Sequence, residues 1–303
     1  MNRSAITVFL RGGLGNQMFQ YVAGLCLAKK NNAQLFLDTT FLNDRFPRKE
    51  FTYRTLDLDV FQIEPNFTAL SKISSAIPIS GVWLGLDLVL MKTRNMLGIQ
   101  HVVKENKEYQ FDPSVLSAEG SVLLYGRWQN EQYFIDIADD VQKAFRFRQK
   151  LSGEAIILAE QINNSNSVSI HVRRGDYVNF KNMKKIVGDT DLPYYARAVS
   201  YIAERTLVPH FFIFSDDIAW CRENIKIPFP MTYCDEKTAG PKDAFHLELM
   251  SFCKYNIITN STFSWWGAWL NRNPKKIVVA PTKWYSGNNF EVNDIIPQTW
   301  VRI

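Results

Sequence analysis

Apolar and polar positions follow two different periods along the first forty residues. Residues 6–10 form a short apolar run typical of a buried strand, and residues 12–15 form a glycine-rich loop. Residues 16–30 carry apolar side chains at helical spacing, and residues 34–38 return to the strand pattern. The chain therefore begins with a predicted β-α-β unit.

The pattern is weaker from residue 39 to about residue 120. This segment mixes short apolar runs with prolines, and the spacing indicates a helix only over residues 83–96. We expect insertions here rather than a repeat. A buried strand is predicted at residues 121–126 and an amphipathic helix at residues 131–147.

The alternation of strand, loop and helix restarts after a polar run at residues 163–166. We therefore place a domain boundary near residue 150, which gives domains 1–150 and 151–303. The second domain has predicted strands at residues 167–173, 211–215, 256–259 and 277–280, and predicted helices at residues 194–205, 242–255 and 261–270. Because strands alternate with helices in both halves, the predicted fold class is α/β, with two Rossmann-like domains whose parallel sheets face a cleft.

Composition and charge narrow the range of functions. The 303 residues are 46% hydrophobic and 21% charged, and the formal net charge is only +5 without a long basic block, so a nucleic-acid partner is not indicated. The cysteines (Cys26, Cys221, Cys234 and Cys253) lack metal-site spacing and predict free thiols in a reducing compartment. Apolar runs are too short for a membrane span, although residues 82–91 stand out.

The most informative segment, SIHVRRGDY at residues 169–177, reads as a buried strand that ends in two arginines and a glycine turn. Side chains alternate along a strand, so His171 and Arg173 face one side while Arg174 faces the other. A guanidinium makes bidentate contacts with phosphate, which suggests an anion site. The alternative is that acidic residues such as Asp176 neutralise the arginines.

A second predicted strand, FFIFSDD at residues 211–217, ends in two adjacent carboxylates. At such a position Asp216 can accept hydrogen bonds from both edge N–H groups of a guanine. The alternative is that Ser215 or Asp216 caps the helix that follows.

A third strand runs into a hydroxyl-rich turn that opens a helix, in IITNSTFSWWGAW at residues 257–269. Free backbone N–H groups and the positive end of the helix dipole meet there, so Ser261 and Thr262 form a candidate phosphate cradle without a P-loop. A plain N-cap is the alternative. At least one of the three tryptophans that follow is expected in the core.

The N-terminal loop, RGGLGNQ at residues 11–17, lacks the third glycine of the dinucleotide fingerprint. Gly13 and Gly15 still allow the backbone to approach a ligand closely, while Asn16 and Gln17 supply amides for hydroxyl recognition.

Two D-x-D sequences, at residues 57–59 and 189–191, do not end predicted core strands. We interpret them as surface sequence, and no metal site is predicted.

Four of these motifs together strongly resemble the α-1,2-fucosyltransferase family: GGLGNQMFQY at residues 12–21, HVRRGDY at 171–177, FSDD at 214–217 and NSTFSWWGAWLN at 260–271. They occur in the family's order and span nearly the whole chain, and the second and fourth are highly specific. The resemblance implies a GT-B-like fold, GDP-L-fucose as donor, no metal or other cofactor, and inverting transfer to the 2-hydroxyl of a terminal galactose on a glycan. It also implies a bacterial, cytoplasmic enzyme of surface polysaccharide synthesis, associated peripherally with the membrane where its acceptor is membrane-linked.

The resemblance also implies roles for individual residues. Arg173 is expected to contact the donor diphosphate and to stabilise the leaving GDP. His171 and Asp216 are expected to hold the guanine, and Ser261 and Thr262 the β-phosphate.

Other roles are assigned more coarsely. Gly13 and Gly15 are expected beside the donor, and Asn16 is expected to reach toward the fucose or the acceptor. Asp176 is either a general base or the partner of an arginine, and a loose, oxocarbenium-like path would need no strong base. The resemblance implies that domain 151–303 binds the GDP-sugar and that domain 1–150 lies on the acceptor side. The acceptor-binding residues and the oligomeric state are unknown.

Three other functions are weighed against this one. A nucleotide-binding module without transfer activity would use the same phosphate site, and a transferase for a different GDP-sugar would differ only in its sugar pocket. A Rossmann oxidoreductase is disfavoured by the incomplete glycine fingerprint, and Asp38, about 20 residues further on, is its best support.

Overall fold

The computed structural model describes residues 4–49, 51–106, 110–175, 191–284 and 295–303. The chain divides into two compact units, Met1–Arg146 with Asn293–Ile295, and Phe147–Val292 with Ile296–Ile303. The division after Arg146 lies four residues before the position at which the sequence places the boundary.

The described part of the first unit contains a parallel sheet of five strands flanked by helices. The strands are β1 (Ala5–Phe9), β2 (Gln34–Asp38), β3 (Asn66–Phe67), β4 (His101–Lys104) and β5 (Val122–Tyr125). They pair in the order β3-β2-β1-β5-β4. The helices are α1 (Leu14–Lys30), α2 (Thr40–Asn43), α3 (Ala69–Ala76), α4 (Val82–Met96) and α5 (Ala138–Ala144).

Two predicted helices of this unit differ from the structure by more than one residue. Helix α1 begins at Leu14, two residues early, because Gly13 adopts the extended conformation of an N-cap. The predicted helix at residues 131–147 is wrong in its first half, where two 3-10 turns precede α5. Between them Phe134 leaves helical geometry, with φ −146°, and its side chain is fully buried. Core packing of this ring therefore overrides the helical spacing.

The described part of the second unit contains a parallel sheet of six strands. The strands are β6 (Asn166–Val172), β7 (Pro209–Ser215), β8 (Met231–Cys234), β9 (Tyr255–Ile257), β10 (Val278–Ala280) and β11 (Val301–Arg302). They pair in the order β11-β10-β9-β6-β7-β8. The helices are α6 (Glu154–Asn163), α7 (Leu192–Ala203), α8 (Ile218–Asn224), α9 (Ala244–Phe252) and α10 (Thr262–Leu270).

Strand β6 lies in the middle of this sheet and separates two kinds of environment. Val168, Ile170 and Val172 belong to an apolar core cluster that also contains the buried face of α7. Because side chains alternate, Ser169 and His171 point to the opposite face of the sheet. Both units thus have the parallel, helix-flanked sheets of the predicted α/β fold class.

Helix α10 is anchored by aromatic and amide contacts. Trp265 and Trp266 are fully buried and Trp269 is nearly so, and the rings of Trp265 and Trp300 lie 5.3 Å apart. All three tryptophans of the helix are therefore core residues, where the sequence predicted at least one. Asn271, which follows the helix, donates from Nδ2 to the Cys253 carbonyl and to Oδ1 of Asn256 on β9. These contacts fix the position of α10.

Candidate active site

The carboxyl ends of β6 and β7 bring a guanidinium and a carboxylate together. The two strands are adjacent and in register, with Val172 opposite Ser215, so Arg173 and Asp216 follow a paired position. Nη1 of Arg173 lies 3.0 Å from Oδ2 of Asp216, and both side chains are about one-quarter exposed. A cation is therefore held at the edge where open α/β sheets bind ligands.

Asp216 also holds the backbone of the turn after β6. Its Oδ1 accepts a hydrogen bond from the Arg174 N–H at 2.8 Å, and its Oδ2 accepts one from the Gly175 N–H at 2.9 Å. A Cβ on Gly175 would lie 2.7 Å from Oδ2 of Asp216, which explains the need for glycine. Asp216 thus positions Arg173, and its contact with guanine stays a prediction.

Arg174 points to the other side of the strand and has its own carboxylate. Its Nε lies 3.1 Å from Oδ2 of Asp217, and its guanidinium stacks 3.9 Å from the ring centre of Trp220. Asp217 also caps α8, because its Oδ1 accepts a hydrogen bond from the Trp220 N–H. The helix cap is therefore Asp217, not Ser215 or Asp216.

Acidic residues pair with both Arg173 and Arg174, as the alternative interpretation of the sequence proposed. These acids, Asp216 and Asp217, follow the neighbouring strand β7. The acid that the sequence singled out, Asp176, lies outside the described residues.

His171 is buried between the sheet and the start of α10. Its ring centre lies 5.7 Å from that of Phe263, and the residue is 5% exposed. Burial, together with the charges of Arg173 and His246, lowers the pKa of His171 to about 3, so the ring is neutral at physiological pH. Its Nδ1 has no hydrogen-bond partner among the described residues. The imidazole is thus a neutral group with a buried Nδ1 that no described residue engages.

The first turn of α10 lies beside the His171 ring, and the side chain of its N-cap residue leaves the backbone N–H groups of that turn uncapped. Ser261 is the N-cap by position, yet its side chain makes no capping hydrogen bond, and Ser264 Oγ instead donates to the Ser261 carbonyl at 3.1 Å. The alternative of a capping Ser261 hydroxyl is therefore not realised. Thr262 is partly buried at the first helical position. Backbone N–H groups of a first helical turn favour an anion.

The glycine loop of the first unit has a built hydrogen-bond network. Gly12 adopts φ +80°, and the Asn16 side chain folds over it, so that a Cβ on Gly12 would lie 2.5 Å from Nδ2 of Asn16. Oδ1 of Asn16 accepts a hydrogen bond from Nε2 of Gln129 at 2.6 Å. Gly13 caps α1, where a Cβ would meet nothing closer than 3.8 Å, and Gly15 is buried in the first turn. Asn16 is thus oriented within this loop.

Gln17 does not have the role expected from the sequence. Its side chain is fully buried, and Nε2 donates to the carbonyls of Gly12 and Thr55 at 2.8 Å each. Its Oε1 accepts a hydrogen bond from the Asp57 N–H. The amide that was predicted to recognise a ligand hydroxyl instead ties the glycine loop to residues 55–57.

Within the described ranges, no cluster of three or more His, Cys, Asp or Glu side chains could hold a metal ion. Asp191, from one D-x-D sequence, caps α7 by accepting a hydrogen bond from the Tyr194 N–H. In the same part of the chain, no helix is long and apolar enough to cross a membrane.

Sequence reasoning missed three side chains that shape this site. Phe263 packs on His171, and Trp220 lies against the guanidinium of Arg174. His246, which lies on α9, lowers the pKa of His171. Phe263 lies inside a motif that was already singled out. His246 had no local signal, because only the packing of α9 places it here.

Comparison with known proteins relates this chain to glycosyltransferases. The family model described as Glycosyl transferase family 11 matches residues 5–303. An alpha-1,2-colitosyltransferase from Escherichia coli is 33% identical, covering 99% of this chain and 99% of its own length. The O-antigen biosynthesis glycosyltransferase WbnK from Escherichia coli is also 33% identical, covering 97% and 99%. The galactoside alpha-(1,2)-fucosyltransferase 2 of Hylobates lar is 27% identical, covering 88% and 69%.

Among solved structures, a mutant of Arabidopsis thaliana FUT1 in complex with GDP superimposes with a TM-score of 0.50 at 11% identity, covering 91% of this chain and 70% of that one. The likeness shows a shared GT-B-like fold.

Proposed function

Because the chain belongs to glycosyl transferase family 11, we propose that it transfers L-fucose from GDP-L-fucose to the 2-hydroxyl of a terminal galactose on a glycan, with inversion at the sugar carbon. The observation that carries the proposal is the guanidinium of Arg173, held 3.0 Å from Asp216 at the ligand-binding edge of the second sheet. The similarity to an α-1,2-fucosyltransferase over 88% of the chain supports the linkage. WbnK supports a role in O-antigen synthesis.

Arg173 acts on the leaving group. As the bond between fucose and the β-phosphate breaks, negative charge grows on the diphosphate, and a fixed guanidinium stabilises that charge without reorganising. Asp216 supplies the fixation, because it holds the guanidinium and the two backbone N–H groups after it. Ser261, Thr262 and the first-turn N–H groups of α10 receive the β-phosphate. The mechanism therefore needs no metal ion to neutralise the leaving group.

His171 contributes a neutral contact to the nucleotide. Its lowered pKa keeps the ring uncharged, and its Nδ1 has no partner within the described part of the chain. A neutral imidazole nitrogen suits a hydrogen bond to a base edge better than an ion pair with phosphate. This supports the assignment of His171 to the guanine.

One comparison supports a donor other than GDP-L-fucose. The 33% identity with a colitosyltransferase, over nearly the full length of both chains, supports GDP-colitose as an alternative donor. The diphosphate and guanine contacts proposed above would serve either nucleotide sugar, so the donors must be compared directly.

The test is GDP release by the purified protein, with excess EDTA throughout. GDP-L-fucose, GDP-colitose and GDP-mannose are supplied in turn, with and without lactose or N-acetyllactosamine. Acceptor-dependent release from GDP-L-fucose, with a product cleaved only by an α-1,2-fucosidase, supports the proposal. Faster turnover of GDP-colitose would reassign the donor. Binding of GDP without release from any donor, across a panel of galactose-terminated acceptors, would favour the binding module.

A matched pair of variants connects activity to the site. Arg173→Ala removes the proposed leaving-group contact, whereas Arg222→Ala removes a more exposed arginine of the same unit that lies 3.9 Å from Asp235. Only the first should lose turnover. Equal activity of the two variants would remove Arg173 from the mechanism.

A further inference from the structure

Helix α4 in the first unit presents an apolar stripe to solvent. Val82, Leu86, Val89 and Met96 recur at helical spacing along one face and are 41% to 85% exposed. Exposed apolar residues are normal when scattered, but a continuous stripe usually marks an interaction surface.

The opposite face of α4 explains why the stripe cannot turn inward. Asp87 and Met91 are buried on that face, and Oδ2 of Asp87 accepts a hydrogen bond from the Thr40 hydroxyl at 3.4 Å. The helix is therefore anchored by one side, and its second apolar side has no place in the core.

The stripe is extended at both ends of the helix. Ile77 and Ile79 precede α4 and are 56% and 49% exposed, while Leu97 and Ile99 follow it at 67% and 60%. The Trp83 indole N–H donates to the Ile77 carbonyl, which fixes the preceding turn against the helix. The exposed apolar surface is thus longer than α4 itself.

The exposed charges of residues 66–104 have one sign. Across residues 66–104, all of which the structure describes, the Lys and Arg side chains are Lys72, Lys92, Arg94 and Lys104, and all four residues are exposed. The single acid in this range, Asp87, is buried on the inner face. Lys92 borders the stripe, whereas Arg94 lies seven residues after Asp87 and therefore on its face of the helix. The stripe is thus apolar with a cation at its border.

We infer that the α4 stripe, with Lys92 at its border, forms a docking surface for a bilayer that contains anionic lipids. An amphipathic helix of this kind lies in the plane of the interface, with its apolar side chains below the headgroups and its cations on the lipid phosphates. In a symmetric contact with a second copy, the Lys92 side chains at the border of both stripes would repel one another, which disfavours self-association. The inference does not depend on which sugar the enzyme transfers.

Flotation of the whole protein with vesicles tests the inference. Vesicles of phosphatidylcholine with about one third phosphatidylglycerol should carry the protein, and vesicles of phosphatidylcholine alone should carry several-fold less. Binding should fall as salt is raised, because the cationic contribution is screened. Equal flotation with both vesicles, or no flotation with either, overturns the inference.

Variants test whether vesicle binding depends on the stripe or is non-specific adsorption. Val89→Asp should lower the partition coefficient at least about tenfold, because it places a carboxylate among the anionic headgroups. Lys92→Gln should lower it roughly fivefold, and Arg94→Gln, on the face of Asp87, should lower it less. The matched control is Ile157→Asp on α6, since Ile157 is 57% exposed and Val89 is 59% exposed. Ile157→Asp should bind as the wild type does.

Two results would reject the assignment even if the protein floats. Binding by Val89→Asp equal to the wild type would place the lipid contact elsewhere. Concentration-dependent dimerisation of the wild type that Val89→Asp abolishes, seen by sedimentation without lipid, would assign the stripe to a second copy. Near-ultraviolet circular dichroism of each variant confirms that the fold is retained.

Discussion

Replacing Asp216 by asparagine should destabilise the second unit by about 2 kcal/mol. The carboxylate accepts three hydrogen bonds, from Arg173 Nη1, from the Arg174 N–H and from the Gly175 N–H. An amide has one acceptor oxygen. If that oxygen occupies the Oδ2 position, the new NH₂ group faces the Arg174 N–H across the present 2.8 Å contact, and these two donors must separate.

The magnitude follows from counting these contacts. One charge-assisted hydrogen bond is lost, at roughly 1.5 to 3 kcal/mol, and the other two become neutral-acceptor bonds, at roughly 1 kcal/mol less each. The sum is about 3.5 to 5 kcal/mol. Because the Arg173 and Asp216 side chains are 25% and 24% exposed, solvent compensates about half of this, which leaves about 2 kcal/mol.

The assay is urea unfolding followed by tryptophan fluorescence. Six of the eight tryptophans lie in the second unit, so the signal reports mainly on its unfolding. The control is Asp217→Asn, which weakens one exposed ion pair but keeps a residue that caps helices well, and should cost under about 1 kcal/mol. A loss below about 0.5 kcal/mol for Asp216→Asn, or equal losses for both variants, would refute the positioning role of Asp216.

Three further predictions address other contacts. Gly175→Ala should cost about 1 to 3 kcal/mol in the same urea assay, because its Cβ would lie 2.7 Å from Oδ2 of Asp216. Gly85→Ala, with open space around the added Cβ, should cost nothing in urea unfolding followed by circular dichroism, which reports on both units. Burial and the neighbouring Asp38 carboxyl raise the pKa of Asp87 to about 7 from its usual 3.8. A raised acid pKa stabilises the fold at low pH, so the unfolding free energy should fall between about pH 4 and pH 7, and Asp87→Asn should remove most of that fall in circular-dichroism titrations; an unchanged pH dependence would contradict it. Arg173→Ala should lower kcat by roughly 10² to 10³, and Arg173→Lys should recover little of it, because a point charge lacks the guanidinium fork; full activity of either variant in the GDP-release assay would rule out the leaving-group role.

Several features of the site could be read from the local pattern alone. Strand alternation places His171 and Arg173 on one face and Arg174 on the other, and the order of strands and helices predicts two parallel sheets. Helix α4 was predicted within one residue of its observed start, because its apolar spacing is helical throughout. That spacing did not show which face is buried, because apolar residues occupy both.

Other features depended on contacts between distant residues. The partner of Arg173 is Asp216 because β6 pairs with β7 in one register. The sequence pattern alone could not distinguish Asp216 from Asp176, the acid that lies near Arg173 in the sequence. Gln17 was assigned to ligand recognition because its amide can serve either a ligand or the backbone, and only the position of residues 55–57 decides between them.

The sequence by itself determined the α/β class, the family resemblance and the faces on which the key side chains lie, because these follow from the covalent order of residues and the fixed geometry of strands and helices. Only the tertiary structure decided that Asp216 holds Arg173, that His171 is buried and neutral, and that α4 leaves an apolar side exposed. Each of these depends on which elements pack together, and that packing sets burial, charge and hydrogen bonding across long sequence separations.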